Sequence, residues 1–203
     1  MCAASVDAID ALLPQTQCGQ CDYAGCRPYA EAMASGKAAI NQCPPGGDEV
    51  IAELSALLNT PVMPLNTAHG PATAPARVII DESLCIGCAL CLPACPVDAI
   101  VGSRRLMHTV IAAECTGCGL CLPPCPVNCI SIVNTGAPRD RSEQRALSGV
   151  LRERHLAHQQ RLAARAARHR DGKSPAADAA SRKRATLDRA MARARARLAK
   201  TTG

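Results

Sequence analysis

The chain of 203 residues has no phenylalanine and no tryptophan, and Tyr23 and Tyr29 are its only aromatic residues. Aromatic side chains usually dominate core burial, so a compact fold here needs another source of stability. Their absence also removes the platform on which nucleic-acid bases stack. No stretch of 18 apolar residues occurs, which excludes an encoded transmembrane helix. The opening segment MCAASVDAIDALLPQ has no basic n-region and sets Asp7 and Asp10 inside its apolar pattern, unlike a signal peptide. There is no G-x-G-x-x-G loop for a nicotinamide or flavin, and no nucleophile, general base or substrate pocket is visible.

What is abundant is cysteine, fourteen in all. In a chain without an export signal, clustered cysteines point to metal binding in a reducing compartment rather than to disulfides. Charge is divided unevenly. Residues 1–135 carry five Lys/Arg against eleven Asp/Glu, and residues 136–203 carry eighteen against six. An acidic, cysteine-rich front is joined to a basic, cysteine-free tail, which suggests two jobs, or one job plus a tether.

Apolar spacing predicts helices over 5–13, with Ser5 as N-cap and Pro14 as the stop, over 27–40 with a break at Ser35-Gly36, and over 48–58. The four prolines of 59–76 read as a semi-rigid linker. From residue 139 the chain is Arg/Ala-rich, and helices are expected over 142–170 and 178–200. The second has a weak apolar stripe of Leu187, Met191, Ala194 and Leu198.

Residues 77–135 hold an internal repeat with an offset of thirty: RVIIDESLCIGCALCLPACPVDAIV, then HTVIAAECTGCGLCLPPCPVNCISIV. Each copy reads as a short β-like run, a cysteine loop, a Cys-Pro turn and a second β-like run. Cys85, Cys88, Cys91 and Cys95 are spaced C-x2-C-x2-C-x3-C-P, as are Cys115, Cys118, Cys121 and Cys125. This is the bacterial two-cluster ferredoxin spacing, in which the fourth cysteine of each run ligates the other cluster. It assigns Cys85, Cys88, Cys91 and Cys125 to one [4Fe–4S] cluster and Cys115, Cys118, Cys121 and Cys95 to another. Gly87, Gly117 and Gly119 supply backbone freedom in the loops. Zinc would need two separated cysteine pairs, which this doubled pattern does not resemble.

A third set, Cys18, Cys21, Cys26 and Cys43, is spaced C-x2-C-x4-C-x16-C. On spacing alone it is compatible with a [4Fe–4S] cluster, a [2Fe–2S] cluster or zinc. The stretch LLPQTQCGQCDYAGCRPYAEAMASGKAAINQCPPGG, followed by the two ferredoxin motifs, resembles the B subunit of Rnf-type (ion-translocating oxidoreductase) electron transport complexes. The resemblance covers residues 5–135 and implies that Cys18, Cys21, Cys26 and Cys43 hold a third [4Fe–4S] cluster in a small separate domain. Two features depart from that family: Asp-Tyr-Ala-Gly stands between Cys21 and Cys26 where Gly-Tyr-Pro-Gly is typical, and no hydrophobic anchor opens the chain. Cys129 reads as a packed thiol with Ala99 as its repeat partner, Cys2 has no assigned role, and His155 and His158 read as solvated.

The expected class is therefore α+β. A small helical Fe–S domain (1–58) and a linker (59–76) precede a pseudo-symmetric two-cluster ferredoxin-like domain (77–135). A basic, helical or disordered tail (136–203) follows. The expected function is single-electron relay through three [4Fe–4S] clusters, as a component or soluble relative of an Rnf-type complex. The resemblance implies ferredoxin or flavodoxin and flavin-bearing subunits as partners. The tail suits a solubilising role or peripheral contact with anionic membrane or an acidic partner. The expected location is cytoplasmic, reaching the inner face of the inner membrane. The alternative is a redox-sensing Fe–S protein that holds nucleic acid through its tail.

Overall fold

The computed structural model describes residues 5–135, 140–170 and 175–201. Cys2 lies outside them, as does Gly172, expected with Pro175 to break the two tail helices. The chain divides into two compact units between His158 and Gln159.

The first unit opens with α1 (Val6–Leu12), α2 (Cys26–Ala34) and α3 (Gly47–Leu58). The Ser5 hydroxyl accepts from Ala8 N and caps α1 as expected. Pro28 is tolerated in α2 because it lies in the first turn, where no intrahelical N–H bond is required. Asp48 and Glu49 sit in the first turn of α3, and Asn59 ends it in a left-handed conformation with its N–H on Ser55 O. The helix expected over 27–40 breaks where Ser35-Gly36 suggested and does not resume after it. It stops at Ala34, Ser35 caps it, and the chain does not return to helix before Ile40. Gly36 takes φ +69°, and the apolar pattern beyond it serves a turn that sends Ile40 into the core.

These helices enclose Ile9, Leu13, Tyr29, Ala30, Met33, Ile40, Val50, Ile51 and Leu54. Tyr29, one of only two aromatics, is fully enclosed. Its hydroxyl donates to Ala39 O (2.7 Å) and accepts from Gln42 N (3.1 Å). The proline-rich segment follows. Met63 and Leu65 pack on this core, Asn66 N bonds Asn41 O, and Thr67–His69 form a 3-10 turn.

A second core belongs to the repeat. Its elements are β1 (Ala76–Ile80), α4 (Cys91–Ala94), β2 (Ile100–Val101), β3 (Thr109–Val110) and β4 (Ile130–Asn134). The strands pair antiparallel as β1 with β4 (Ala76 opposite Asn134, Ile80 opposite Ile130) and β2 with β3 (Ile100 opposite Val110). The first strand of each copy thus pairs with the second strand of the other. The class is α+β, as expected. Only the first copy forms a short helix after its third cysteine; the second has turns there.

Helix α5 (Arg141–Arg170) follows, capped by Asp140, whose carboxylate accepts from Ser142 N and Glu143 N. Its residues up to His158 belong to the first unit, where Leu151 is buried in the second core. The second unit continues α5 and contains α6 (Pro175–Thr201). In α6, Leu187 and Met191 are exposed, while Ala194 and Leu198 fall among residues whose side chains are not described. No described helix is long and apolar enough to cross a membrane.

Candidate metal centre

The strand exchange governs where the cysteines go. In each copy the three-cysteine loop follows the first strand, and the Cys-Pro turn precedes the second. Pairing across copies therefore carries each Cys-Pro turn onto the other copy's loop. Cys85, Cys88, Cys91 and Cys125 line one cavity with Ile80, Val127 and Ile130. Cys95, Cys115, Cys118 and Cys121 line another with Val78, Val97 and Ile100. Each hollow spans about 280 Å³, part of it open to solvent. Among the described residues, no three His, Cys, Asp or Glu side chains converge as ligands of a single ion do. The thiols surround a void instead, the arrangement a multi-atom cluster requires.

The hydrogen bonds around the two cavities repeat with the same offset of thirty. Val78 N donates to Cys115 Sγ and His108 N to Cys85 Sγ, both at 3.4 Å. Asp81 N donates to Cys129 O and Ile111 N to Ala99 O, both at 2.8 Å. Asp98 and Asn128, after the two Cys-Pro-Val turns, both take φ +51°, a conformation that Asx side chains tolerate best after glycine. Gly117 shows why the loops need glycine: a Cβ there would lie 2.3 Å from Ala76 O, and φ is +69°. Its repeat mate Gly87 is equally constrained, with Leu106 N and O at 2.7 Å.

In the first lobe, Cys21, Cys26 and Cys43 are buried in the same core as Ile9 and Tyr29, and Cys18 is half-buried. A chain of buried amides holds their loop. Gln15 Nε2 donates to Asp10 O (2.7 Å) and Oδ1 (2.9 Å), Gln17 Nε2 to Gln15 Oε1 (2.8 Å), and Cys26 N to Gln17 Oε1 (2.9 Å). Gln15, Gln17 and Asp22 all have positive φ, so backbone strain is concentrated on this loop. Asp10 is itself buried and lies 2.8 Å from Arg152 Nε of α5, close enough to pair as charges without hydrogen-bond alignment. Nothing in the cysteine spacing pointed to this network.

Burial pushes the thiols of Cys26 and Cys121 up to about 12, and raises Cys21, Cys43, Cys91 and Cys118 as well. Without metal these groups stay neutral at pH 7, and binding iron must displace their protons. The buried sites are thus built for thiolates whose charge a metal cluster compensates.

The two lobes meet at a cleft of about 790 Å³, open to solvent. Pro14, Thr16, Cys18 and Gln20 line one side, and Arg77, Cys115, Thr116 and Cys118 the other. Thr116 Oγ1 donates to Thr16 O across it (3.2 Å). The first cysteine set therefore borders the Cys95/Cys115/Cys118/Cys121 cavity, with the Cys85 cavity beyond.

Two sequence expectations meet the structure at Cys129 and on α5. Cys129 is a packed thiol, buried with its Sγ 3.5 Å from Cys125 Sγ; burial, with Cys125 alongside, pushes it up to about 12. His155 and His158, read as solvated, are not. His158 is 6% exposed with Nδ1 2.7 Å from Asp98 Oδ1, and half-buried His155 has Nδ1 2.9 Å from Pro96 O. The reason is that α5 lies over the Cys95 turn. Arg154 adds bonds to Val97 O (3.0 Å) and Glu114 Oε2 (2.5 Å).

Two ferredoxin-like half-sites joined by strand exchange, with a third cysteine set bordering the same cleft, define an iron–sulfur protein. Known proteins agree. Residues 78–132 match a "4Fe-4S dicluster domain" family model and residues 13–45 a "Putative Fe-S cluster" model. The B subunit of the ion-translocating oxidoreductase complex of Azoarcus sp. (strain BH72) is 61% identical over 106 residues, covering 52% of this chain and 58% of that protein. The B subunits of the same complex from Alkalilimnicola ehrlichii and Escherichia coli O127:H6 are 58% and 57% identical, covering 63% of this chain and 69% and 67% of their own lengths. The chain belongs to this family, the B subunits of ion-translocating oxidoreductase complexes. It spans 58% and 57% of the Azoarcus and Thiobacillus denitrificans relatives.

Proposed function

We propose that this protein relays single electrons through three [4Fe–4S] clusters. Cys18, Cys21, Cys26 and Cys43 hold the first. Cys115, Cys118, Cys121 and Cys95 hold the one next to it, and Cys85, Cys88, Cys91 and Cys125 the most distant. When bound, each cluster accepts and releases one electron. The observation that carries the reading is the pair of matched cavities, each lined by three cysteines of one copy and one of the other. The cleft bordered by both Cys18 and Cys115 supports an order of transfer.

The chain's own residues keep the path dry and rigid. Tyr29, Ile9 and Leu54 exclude water from the first site, and Val78, Val97, Ile100 and Ile130 from the other two. Backbone amides of Val78, Ala99 and His108 donate to thiolate sulfurs. Such bonds favour the more negative, reduced state.

The names of the relatives support work within an ion-translocating oxidoreductase complex, with ferredoxin or flavodoxin and flavin-bearing subunits as exchange partners. In this reading the functional divisions are 1–58, 59–76, 77–135 and 136–203, and the protein works at the cytoplasmic face of the inner membrane. The basic tail provides peripheral contact with anionic lipid. No observation favours the nucleic-acid role.

The test is anaerobic purification with iron, acid-labile sulfide and zinc measured per chain, then EPR of the dithionite-reduced protein. About twelve iron and twelve sulfide are expected for three four-iron clusters. Eight iron with one zinc would sink the first-lobe cluster, and fewer than eight the relay itself.

A further inference from the structure

The two half-sites are alike in backbone and unlike at a few lining side chains, one of them a fully buried imidazole. Thirty residues apart, Val78 and His108 occupy the same place, and the main-chain N–H of each donates to the first cysteine of the opposite copy's loop. Val78 is 3% exposed and His108 1%. The valine shows that the fold asks only for an apolar group here. A buried imidazole in the equivalent place costs desolvation and needs a reason.

The ring has one polar contact. Its Nδ1 lies 3.5 Å from Cys85 Sγ, while Nε2 is buried with no partner. A metal-bound thiolate has no proton to give, so Nδ1 must carry the hydrogen and Nε2 the unused lone pair. The ring also lines the cavity of Cys85, Cys88, Cys91 and Cys125. Space for it is made across the strand pair. A Cβ on Gly102 would lie 2.2 Å from His108 Cδ2, and the repeat mate of Gly102 is Ile132, opposite Val78. Glycine facing histidine in one half replaces isoleucine facing valine in the other. The room for the imidazole is therefore built into the strand pair, and the only polar atom it meets is a sulfur.

We infer that His108 is a positioning residue that donates a hydrogen bond to the Cys85 thiolate and sets the cluster of Cys85, Cys88, Cys91 and Cys125 at a higher reduction potential than its twin. The inference rests on the proposed reading of these cysteines as ligands. The step is the uptake of one electron by that cluster, supplied by the neighbouring cluster; no bond to hydrogen breaks and no proton is transferred. The added negative charge strengthens the Nδ1–H···S bond, which favours the reduced state. With the Cys115 cluster nearer the first lobe, the bias draws electrons away from the cleft toward the far end.

The experiment compares His108→Phe, which keeps a ring and loses the donor, with His108→Asn, which keeps a donor near Nδ1 and loses the ring. Iron and sulfide per chain are measured first, and then the midpoints by EPR-monitored redox titration. In His108→Phe one midpoint should fall by about tenfold in its one-electron equilibrium, roughly 59 mV, with the other two unmoved. In His108→Asn it should return toward the original value. An unchanged midpoint in His108→Phe, or equal shifts in both variants, would overturn the inference and leave the ligand assignment standing. Absence of the ferredoxin-type iron from the unsubstituted protein would instead sink the ligand assignment. Should either variant fail to assemble, the unsubstituted protein grown with histidine labelled with 15N in the imidazole ring alone decides, because the main-chain N–H of His108 also meets Cys85 Sγ. Pulsed EPR of its reduced state should resolve a weakly coupled 15N, and the lack of any such coupling overturns the inference.

Discussion

The two copies of the ferredoxin repeat share cysteine spacing, strand pairing, left-handed turn residues and sulfur-directed amides, yet their surroundings differ. The turn after Cys95 is covered: Val97 is 1% exposed, and α5 lays Arg154 and His155 on it. The turn after Cys125 is open, and Val127 is 37% exposed. The Cys125 cavity has His108 in place of Val78 and Cys129 in place of Ala99, and the other has Thr116 in place of Ile86. A duplicated backbone thus supplies two equivalent thiolate cages, and the side chains and the added helix make them inequivalent. One is sheltered and faces the first lobe. The other has its Cys-Pro turn open to solvent and a side-chain imidazole beside one sulfur.

The strongest way to break the comparison is to remove a crossing ligand. Cys125→Ala should empty the cavity of the first copy's loop, and Cys95→Ala that of the second, each losing about four iron per chain. Iron analysis and the loss of one EPR signal check this. If either variant kept its full iron content, the exchange of fourth ligands would be wrong.

Next comes the loop glycine. Gly117→Ala drives a Cβ into Ala76 O at a positive φ, and should cost about 2–4 kcal/mol from clash and strain together. Gly87→Ala meets Leu106 at a slightly longer distance and should cost less. Thermal unfolding of the two variants, side by side, gives the ranking.

The sheltering helix offers a smaller effect. Arg154→Ala removes bonds to Val97 O and Glu114 and should cost about 1–3 kcal/mol. The visible sign is faster loss of the Cys95 cluster to a chelator, while the Cys125 cluster decays at its original rate. The start of α5 also carries a pH dependence. Hydrogen bonding from Arg141 holds the Glu53 carboxyl below its ordinary value of 4.5. A lowered folded pKa means that the stabilisation is complete above that ordinary value and is lost as pH falls through the folded one. Because the pair is partly solvated, its worth is about 1 kcal/mol. Hydrogen-exchange protection over residues 141–158, taken relative to the intrinsic rate at each pH, should fall on acidification below about pH 4, and Glu53→Gln should show the lowered protection already at pH 7.

The smallest expected change is Cys129→Ala, which copies Ala99 into the second half. It removes one weak S–H donor beside Cys125, and the midpoint of that cluster should fall by less than in His108→Phe. A larger fall would make the thiol, and not the imidazole, the dominant asymmetry.

Much of this was legible in the sequence. Ser5, Pro14 and the run Val50, Ile51, Leu54 place α1 and α3 because capping and helical periodicity are local. The thirty-residue offset announces a duplicated unit. What was not legible depends on contacts far apart in sequence. The break at Ser35-Gly36 was legible, but not that residues 37–40 fail to resume a helix, because Ile40 is drawn into the core. His155 and His158 sit in an Arg/Ala-rich segment that looks solvated, since its partners, Pro96 and Asp98, are some sixty residues away. His108 had a signal that only a position-by-position comparison of the two copies reveals: one is valine and the other histidine.

By itself the sequence determined the pattern: eight cysteines at two-cluster ferredoxin spacing, a further set of four, two copies of one unit, and an acidic front with a basic tail. These follow from residue identity and short-range spacing, which the chain carries in any conformation. Only the tertiary structure decided which half-site the helix shelters and which sulfur receives an imidazole. Those depend on the exchange of strands between copies and on the docking of α5. Each brings together groups separated by tens of residues, and their mutual burial is a property of packing that no local pattern encodes.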